Sequence, residues 1–343
     1  RLSLVGSEMC IRDRITTYCV RCAMPVLQEV CVCGQPRPSE GWPVDRLLNT
    51  WIAGRFHIRR RLGMGGTGLV YLAERFYPPG PVAIKVTHDR LTELVWQQRL
   101  EREASVLQRL RLAWTVSLLE YGQMADGRHF IAMECLEGRT VQELLEQRGA
   151  LPVSRAVSIV AQAAEAMAAV HAQGVIHRDL KPSNLFLLAG EPYDQLKVLD
   201  FGIALDLNRW YDIGDRENLI GTPRYIAPEQ IVTPDRVDGR ADIFSLGIML
   251  NELLTGQLPF PWENTMAVLI RRLREAPLPL EVAMPSAALP DRLYRTVRRM
   301  IERDVARRFR SMGEVAGALR QVLLELKHQD EVDDVGRGLR MAS

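Results

Sequence analysis

The chain has 343 residues, a formal net charge of +2 and 47% hydrophobic residues. That is enough apolar mass for a sizeable buried core and length enough for more than one domain. The near balance of charge excludes a nucleic-acid binder driven by bulk basicity, and no apolar run reaches the roughly eighteen residues of a membrane span.

Residues 1–14 are set aside, because 6–14 resembles a translated sequencing adapter; on that reading the natural start lies elsewhere. Next come Cys19-x-x-Cys22 and Cys31-x-Cys33-Gly34. Two close thiolate pairs suit tetrahedral Zn²⁺, with the metal serving as core for a segment that has too few apolar residues to fold alone. The second knuckle is C-x-C rather than C-x-x-C, and two disulfides or unliganded thiols are the alternatives. The zinc-ribbon-like segment is expected over residues 15–38. Residues 39–54, entered through Pro36 and Pro38 and containing Pro43, read as a linker.

Phe56–Leu62 and Leu69–Ala73 alternate as strands around Gly63-x-Gly65-x-x-Gly68. Glycines there let main-chain amides approach a phosphate closely. The same spacing also opens dinucleotide-binding helices. Here β-like residues follow it, and a turn at Pro78-Pro79-Gly80 leads into Val82-Ala83-Ile84-Lys85. Strand, glycine turn, strand and lysine favour a flap over nucleotide phosphates. A helix is predicted over Leu94–Leu110, with Leu100, Ala104 and Leu107 on one stripe. Glu103 falls within that stripe, whereas Glu101 lies about a quarter turn aside. Val116–Tyr121 and His129–Glu134 read as further strands. Helices are predicted at Val141–Gln147 and Pro152–His171, and Ile243–Leu254, interrupted by Ser245, Asn251 and Glu252, reads as a buried helix.

His177-Arg178-Asp179-Leu180-Lys181-Pro182-Ser183-Asn184 packs an acid, two bases and an amide into one short loop. Asp179 can accept a proton from an attacking hydroxyl. Lys181, two residues on, points the same way in an extended loop and can hold a phosphate charge. Asn184 offers a neutral oxygen to a hard cation. After the strand-like Leu196–Leu199 comes Asp200-Phe201-Gly202, a carboxylate at a strand end beside flexible backbone, which suits Mg²⁺. Ala227-Pro228-Glu229 follows.

In this order, over roughly 55–326, the motifs resemble those of a bacterial protein kinase of the Ser/Thr type. The cysteine segment is similar to small zinc ribbons that precede some of these kinases. The resemblance implies an α+β, two-lobed fold: a small β-rich N-lobe (55–134), a larger helical C-lobe (138–326), and the ribbon in front. It implies ATP and Mg²⁺ as cofactors and phosphoryl transfer to Ser/Thr hydroxyls. Lys85, paired with Glu103, would hold the α/β-phosphates. Leu62, Gly63, Gly65, Gly68, Val70 and Ala83 would cover the nucleotide, Met133 would gate the pocket, the main chain of Glu134 and Leu136 would meet the adenine edge, and Phe186 would lie beneath it. Asn184 and Asp200 would hold Mg²⁺, Asp179 would take the hydroxyl proton, and Lys181 would neutralise the γ-phosphate. Thr222 would bridge Asp179 and Lys181.

The same resemblance implies that Asp242 caps the catalytic loop's amides and that Glu229 pairs with Arg308. In Asp304-x-x-x-Arg308-Phe309, Val305 replaces the usual proline. Between Gly202 and Ala227 the one Ser/Thr hydroxyl is Thr222, so Asp212, Asp215 and Glu217 become candidates to pair with Arg178. The expected partners are proteins bearing Ser or Thr, with a possible further partner for the ribbon, and the expected location is cytoplasmic. Residues 327–343, acidic at Asp330–Asp334, read as a disordered tail. The rival reading is a pseudokinase scaffold that binds nucleotide or partners without chemistry; ATP turnover separates the two.

Overall fold

The computed structural model describes residues 17–18, 26, 30–31, 35–39, 44–65, 68–87, 94–190, 195–201, 224–260, 265–285 and 289–341. The chain divides into two units, Arg1–Gln108 with Ser117–Leu136, and Arg109–Val116 with Glu137–Ser343.

In the first unit the alternating runs become an antiparallel sheet of order β1-β2-β3-β4-β6-β5. Its strands are β1 (Trp51–Ile52), β2 (Phe56–Gly65), β3 (Gly68–Arg75), β4 (Gly80–Thr87), β5 (Leu118–Gln123) and β6 (His129–Glu134). The register pairs Val70 with Lys85, Leu72 with Ala83, and Lys85 and Ala83 in turn with Ile131 and Met133. Because side chains alternate with period two, these six share one face. Tyr71, Ala73, Val82, Ile84, Val86, Phe130 and Ala132 share the other and form a buried cluster. Helix α1 (Leu94–Arg109) buries Leu100, Ala104 and Leu107 on its apolar stripe, with Glu103 buried among them.

The linker expected at 39–54 is corrected in its described part. Leu47 and Ile52 are buried in the sheet's core cluster, and β1 adds to the sheet edge by pairing with β2. The prolines that mark the segment as a linker say nothing of where its apolar residues go; Leu47 and Ile52 pack because they meet an apolar face left uncovered, which no local pattern reveals.

The second unit holds α2 (Val141–Arg148), α3 (Val153–Ala172), α4 (Pro228–Val232), α5 (Arg240–Thr255), α6 (Thr265–Arg274), α7 (Leu280–Ala283), α8 (Asp291–Met300) and α9 (Met312–Met341). A small antiparallel sheet joins β7 (Gly138–Thr140), β8 (Leu185–Leu188) and β9 (Gln195–Val198) in that order. Thr140 opens α2 with a reciprocal cap: Glu143 N–H donates to its hydroxyl and Thr140 N–H to the Glu143 carboxylate. Helix α3 packs against α5 and α9 and buries residues from Ala156 to Val170. By length and composition it could also cross a membrane, a candidate that run length passes over because Arg155, Gln162 and Glu165 interrupt it. Helix α5 is buried along nearly its whole length and ends at Gly256, whose φ of 72° forms the left-handed cap.

Two expected boundaries move. Residues 109–116, expected with the β-rich lobe, belong to the second unit: Val198 N–H donates to the Trp114 carbonyl at 2.7 Å, and Thr115 bridges Val198. The expected disordered tail is helical as far as Met341. Once a helix is packed, each further residue adds a hydrogen bond without a new nucleation cost.

Glu229 meets Arg308 in a two-pronged pair at 2.7 and 2.8 Å, and the fully buried guanidinium also donates to the carbonyls of Glu302 and Arg240. Where a proline is usual, Val305 begins a short turn that Asp304 caps by accepting from Ala306 N–H at 2.9 Å.

Ile52→Ala tests whether 44–52 is part of the core. Removing a fully buried isoleucine side chain should cost about 2–5 kcal/mol in a denaturant titration; an unpacked linker would lose almost nothing.

Candidate active site

In the first unit, β4 presents Lys85 and α1 presents Glu103. The Lys85 ammonium donates to both Glu103 oxygens, at 2.9 and 3.1 Å, and both side chains are buried. A cation held there at low dielectric has a strong field for a phosphate, provided its own desolvation is offset by a partner. Glu101, the acid placed aside by helical spacing, is exposed and accepts from the Tyr121 hydroxyl instead.

The glycine motif lies in a hairpin. Gly63 pairs with Val70, Met64 with Leu69, and Gly65 with Gly68 across β2 and β3. A strand, not a helix, follows the glycines, so the dinucleotide-binding alternative is ruled out. Gly68 has no room for a side chain: a Cβ there would stand 2.2 Å from the Val86 carbonyl oxygen. Leu62 is exposed beside the hairpin; Val70, Ala83 and Met133 share the Lys85 face, the last two largely buried. Glu134 N–H donates to the Ser117 carbonyl at 3.0 Å, and partly buried Leu136 closes the unit.

In the second unit the loop 177–184 hangs on Asp242 of α5. Its carboxylate is fully buried and accepts His177 N–H at 2.9 Å and Arg178 N–H at 2.8 Å, while His171 Nε2 lies 2.8 Å away. The His177 ring meets the Leu199 carbonyl through Nε2 at 3.1 Å. A carbonyl only accepts, so Nε2 carries the proton, and Nδ1 is left to accept Asp179 N–H at 3.4 Å. Phe201 is buried beside the same ring, with centroids 5.2 Å apart. Arg178 and Asp200 take φ of 64° and 42°, a left-handed backbone that non-glycine residues rarely adopt. Such strain persists where surrounding bonds over-determine it; at Arg178 these are the Asp242 bond and one from Gln230 Nε2 to its carbonyl at 2.8 Å.

This frame brings three expected residues together. Lys181 Nζ lies 2.7 Å from Asp179 Oδ2. Asn184 Nδ2 donates to the Asp179 carbonyl at 2.8 Å, which leaves the amide oxygen as the end available to a cation. Leu199 N–H donates to the Asn184 carbonyl at 2.8 Å, tying the loop to the strand end that carries Asp200. Phe186 stands on β8 opposite Thr140 and Lys197.

After the loop, the Tyr225 hydroxyl donates to Glu252 at 2.6 Å, and Ser245 donates to the Tyr225 carbonyl at 2.8 Å. Burial, and then the Glu252 charge, push the Tyr225 phenol up. Burial also lifts the Glu252 carboxyl, with the Tyr225 bond pulling the other way. Buried Arg272 donates to the Ile226 carbonyl at 2.6 Å and to that of Arg224, fixing the main chain just before Pro228.

Thr222 and the acids Asp212, Asp215 and Glu217 lie outside the described residues, as do Cys19, Cys22 and Cys33. Cys31 is buried; its N–H donates to the Gln35 carbonyl at 2.8 Å, and Val30 bridges Pro36. Among the described residues no group of three or more His, Cys, Asp or Glu is placed to hold a metal. Gln230 escaped the sequence reading. Its place two residues after Pro228, where a side chain can reach back to Ala227 N–H at 3.1 Å, was the available signal.

Asp242→Asn keeps the shape but turns an amide NH₂ toward one backbone N–H. The unmet donor should cost about 1–3 kcal/mol. Hydrogen exchange should speed up at His177 and Arg178 more than along α5.

The chain matches the model of the Protein kinase domain over residues 56–317. It is 36% identical over 269 residues to the serine/threonine-protein kinase pkn2 of Myxococcus xanthus, covering 78% of this chain and 32% of that one. With pkn3 of the same organism identity is 33% over 292 residues, covering 83% and 53%. With PknD of Mycobacterium tuberculosis it is 33% over 288 residues, covering 83% and 42%. The chain thus spans about a third to a half of the length of these curated relatives. The crystal structure of the Mycobacterium tuberculosis PknI kinase domain superposes with a TM-score of 0.61 at 27% identity, covering 80% of this chain and 98% of that one.

Proposed function

The chain belongs to the protein kinase family, and from that premise we propose that it transfers the γ-phosphoryl group of ATP to Ser or Thr hydroxyls of other proteins. The arrangement of Asp179, Lys181 and Asn184 carries this reading, with a carboxylate, a cation and an oriented amide oxygen within one loop. Asp179 orients the attacking hydroxyl and receives its proton. Lys181 lies against the same carboxylate and offsets the charge that gathers on the transferred phosphoryl group. Lys85, kept in place by Glu103, holds the α/β-phosphates, and the Gly63–Gly68 hairpin covers them with main-chain amides.

The donors suit Mg²⁺. Asn184 and Asp200 supply hard oxygen atoms, and the hydrogen bond from Asn184 Nδ2 engages its nitrogen end and leaves the oxygen as the ligating end. When bound, the cation neutralises phosphate charge as the phosphoryl group moves. Transfer to protein Ser or Thr hydroxyls, as the names of the relatives state for them, is the class this site is proposed to serve. We place the reaction in the cytoplasm, where ATP is available.

Asp200→Asn tests the reading. Asparagine tolerates the positive φ at this position better than alanine does. The variant should lose at least about a hundredfold in Mg²⁺-dependent transfer from labelled ATP, while the melting temperature of the ligand-free protein stays near that of wild type. Turnover at the wild-type rate would sink the assignment.

We further propose that Cys19, Cys22, Cys31 and Cys33 hold one structural Zn²⁺. Four thiolates in two close pairs support it, as does the hairpin pairing that flanks Cys31. Metal analysis of protein purified under reducing conditions should find about one zinc per chain, released by Cys19→Ser with Cys22→Ser. Metal-free protein with intact disulfides would refute it.

A further inference from the structure

Asp45 lies in the stretch that reads as a linker, yet its side chain is only 4% exposed. Its Oδ2 accepts from the Tyr71 hydroxyl at 2.8 Å and from Arg61 Nε at 2.9 Å, with Arg61 Nη2 on the same oxygen. Its Oδ1 accepts Leu47 N–H at 3.0 Å. Arg61 reaches further: its guanidinium carbon sits 4.2 Å over the ring of Tyr18, a buried residue of the N-terminal segment. Thr17, next to it, bridges Val44.

The position of this carboxylate matters. Arg61 and Tyr71 face each other across β2 and β3, and the register shifts at the next step, between Arg61 and Gly63. One carboxylate therefore grips both strands at the last regular pair before the glycine hairpin. The grip is on the face away from Lys85, because Tyr71 pairs with Ile84 whereas Val70 pairs with Lys85. Gly63, Gly65, Gly66 and Gly68 give the hairpin little side-chain bulk to brace it, so its direction is inherited from its base. Burial, and then the Asp45 charge, push the Tyr71 hydroxyl up, which keeps it a donor.

We propose that Asp45 is a positioning residue for nucleotide: through Arg61 and Tyr71 it sets the direction of the Gly63–Gly68 hairpin, and through Arg61 on Tyr18 it makes that direction depend on the docked N-terminal segment. The proposal rests on the phosphoryl-transfer reading and assigns that site a control element outside it. Taking the charge from Asp45 leaves a largely buried guanidinium without its counter-charge, and misplacing phosphate donors by about 1 Å is enough to weaken their contacts severalfold or more.

The test uses the full chain as wild type, Asp45→Asn, Tyr71→Phe and Tyr18→Ala. The readouts are kcat and KM for MgATP and, by calorimetry, Kd for ADP with Mg²⁺, all well below each variant's melting temperature. Asp45→Asn should raise KM and Kd about five- to tenfold with kcat within about twofold, and Tyr71→Phe and Tyr18→Ala should each raise them about two- to threefold. A merely structural role would lower the melting temperature and leave KM and Kd unchanged, which overturns the proposal. If Asp45→Asn does not fold, Tyr71→Phe decides by the same numbers, since it removes one hydrogen bond and no core volume. A wild type that binds ADP but transfers no phosphoryl group refutes the activity and leaves Kd to judge Asp45; a wild type that binds no nucleotide overturns both.

Discussion

Asp242 is an acid with no access to water, and the loop 177–184 takes its shape from how that acid is satisfied. A carboxylate buried in a helix core would cost several kcal/mol if left alone. Here two successive backbone amides and an imidazole converge on it. Two adjacent N–H groups can meet one carboxylate only if the chain turns sharply between them, and Arg178 takes a left-handed φ in doing so. The turn sends Asp179 and Lys181 out on one side and leaves the Arg178 carbonyl to Gln230. The placement of Asp179 and Lys181 thus follows from satisfying one buried acid.

The same logic separates ion pairs that shape the protein from those that decorate it. Lys85 with Glu103 and Arg308 with Glu229 are buried, two-pronged and hydrogen-bonded. Their net stabilisation is small because desolvation offsets attraction, but removing one partner strands the other. They therefore act as constraints on where α1 and the chain before α9 can lie within their own units. Arg55 with Glu120 and Arg292 with Glu325 are exposed pairs of the kind worth about 0–1 kcal/mol.

The residues proposed to do the chemistry were readable because each belongs to a short motif with its own local logic. Lys85 lies on a β-like run after a proline-glycine turn, Glu103 falls on a helical stripe, and Asp179, Lys181 and Asn184 lie within six consecutive positions. What escaped was support supplied at long range. Gln230 acts on a carbonyl 52 residues away, and Asp45 on a tyrosine 26 residues away. Local spacing marks Gln230 only as the cap of its own helix, and nothing local marks Asp45.

By itself the sequence determined β2 to β6 and β9, helices α1 to α3 and α5, and the candidate chemistry, because periodicity and motif spacing are local properties of the chain; the two-lobed plan came with the family resemblance that those motifs carry. Only the tertiary structure decided what becomes of the stretches whose composition is indifferent. Residues 44–52 show no periodicity that announces a fold, yet Leu47 and Ile52 complete a sheet face that would otherwise meet water. The tail from 327 onward is polar enough to stand alone as coil, yet it continues a helix already begun at Met312. In both cases the deciding energy comes from structure already formed elsewhere in the chain, an exposed apolar surface in one and a paid-for nucleus in the other.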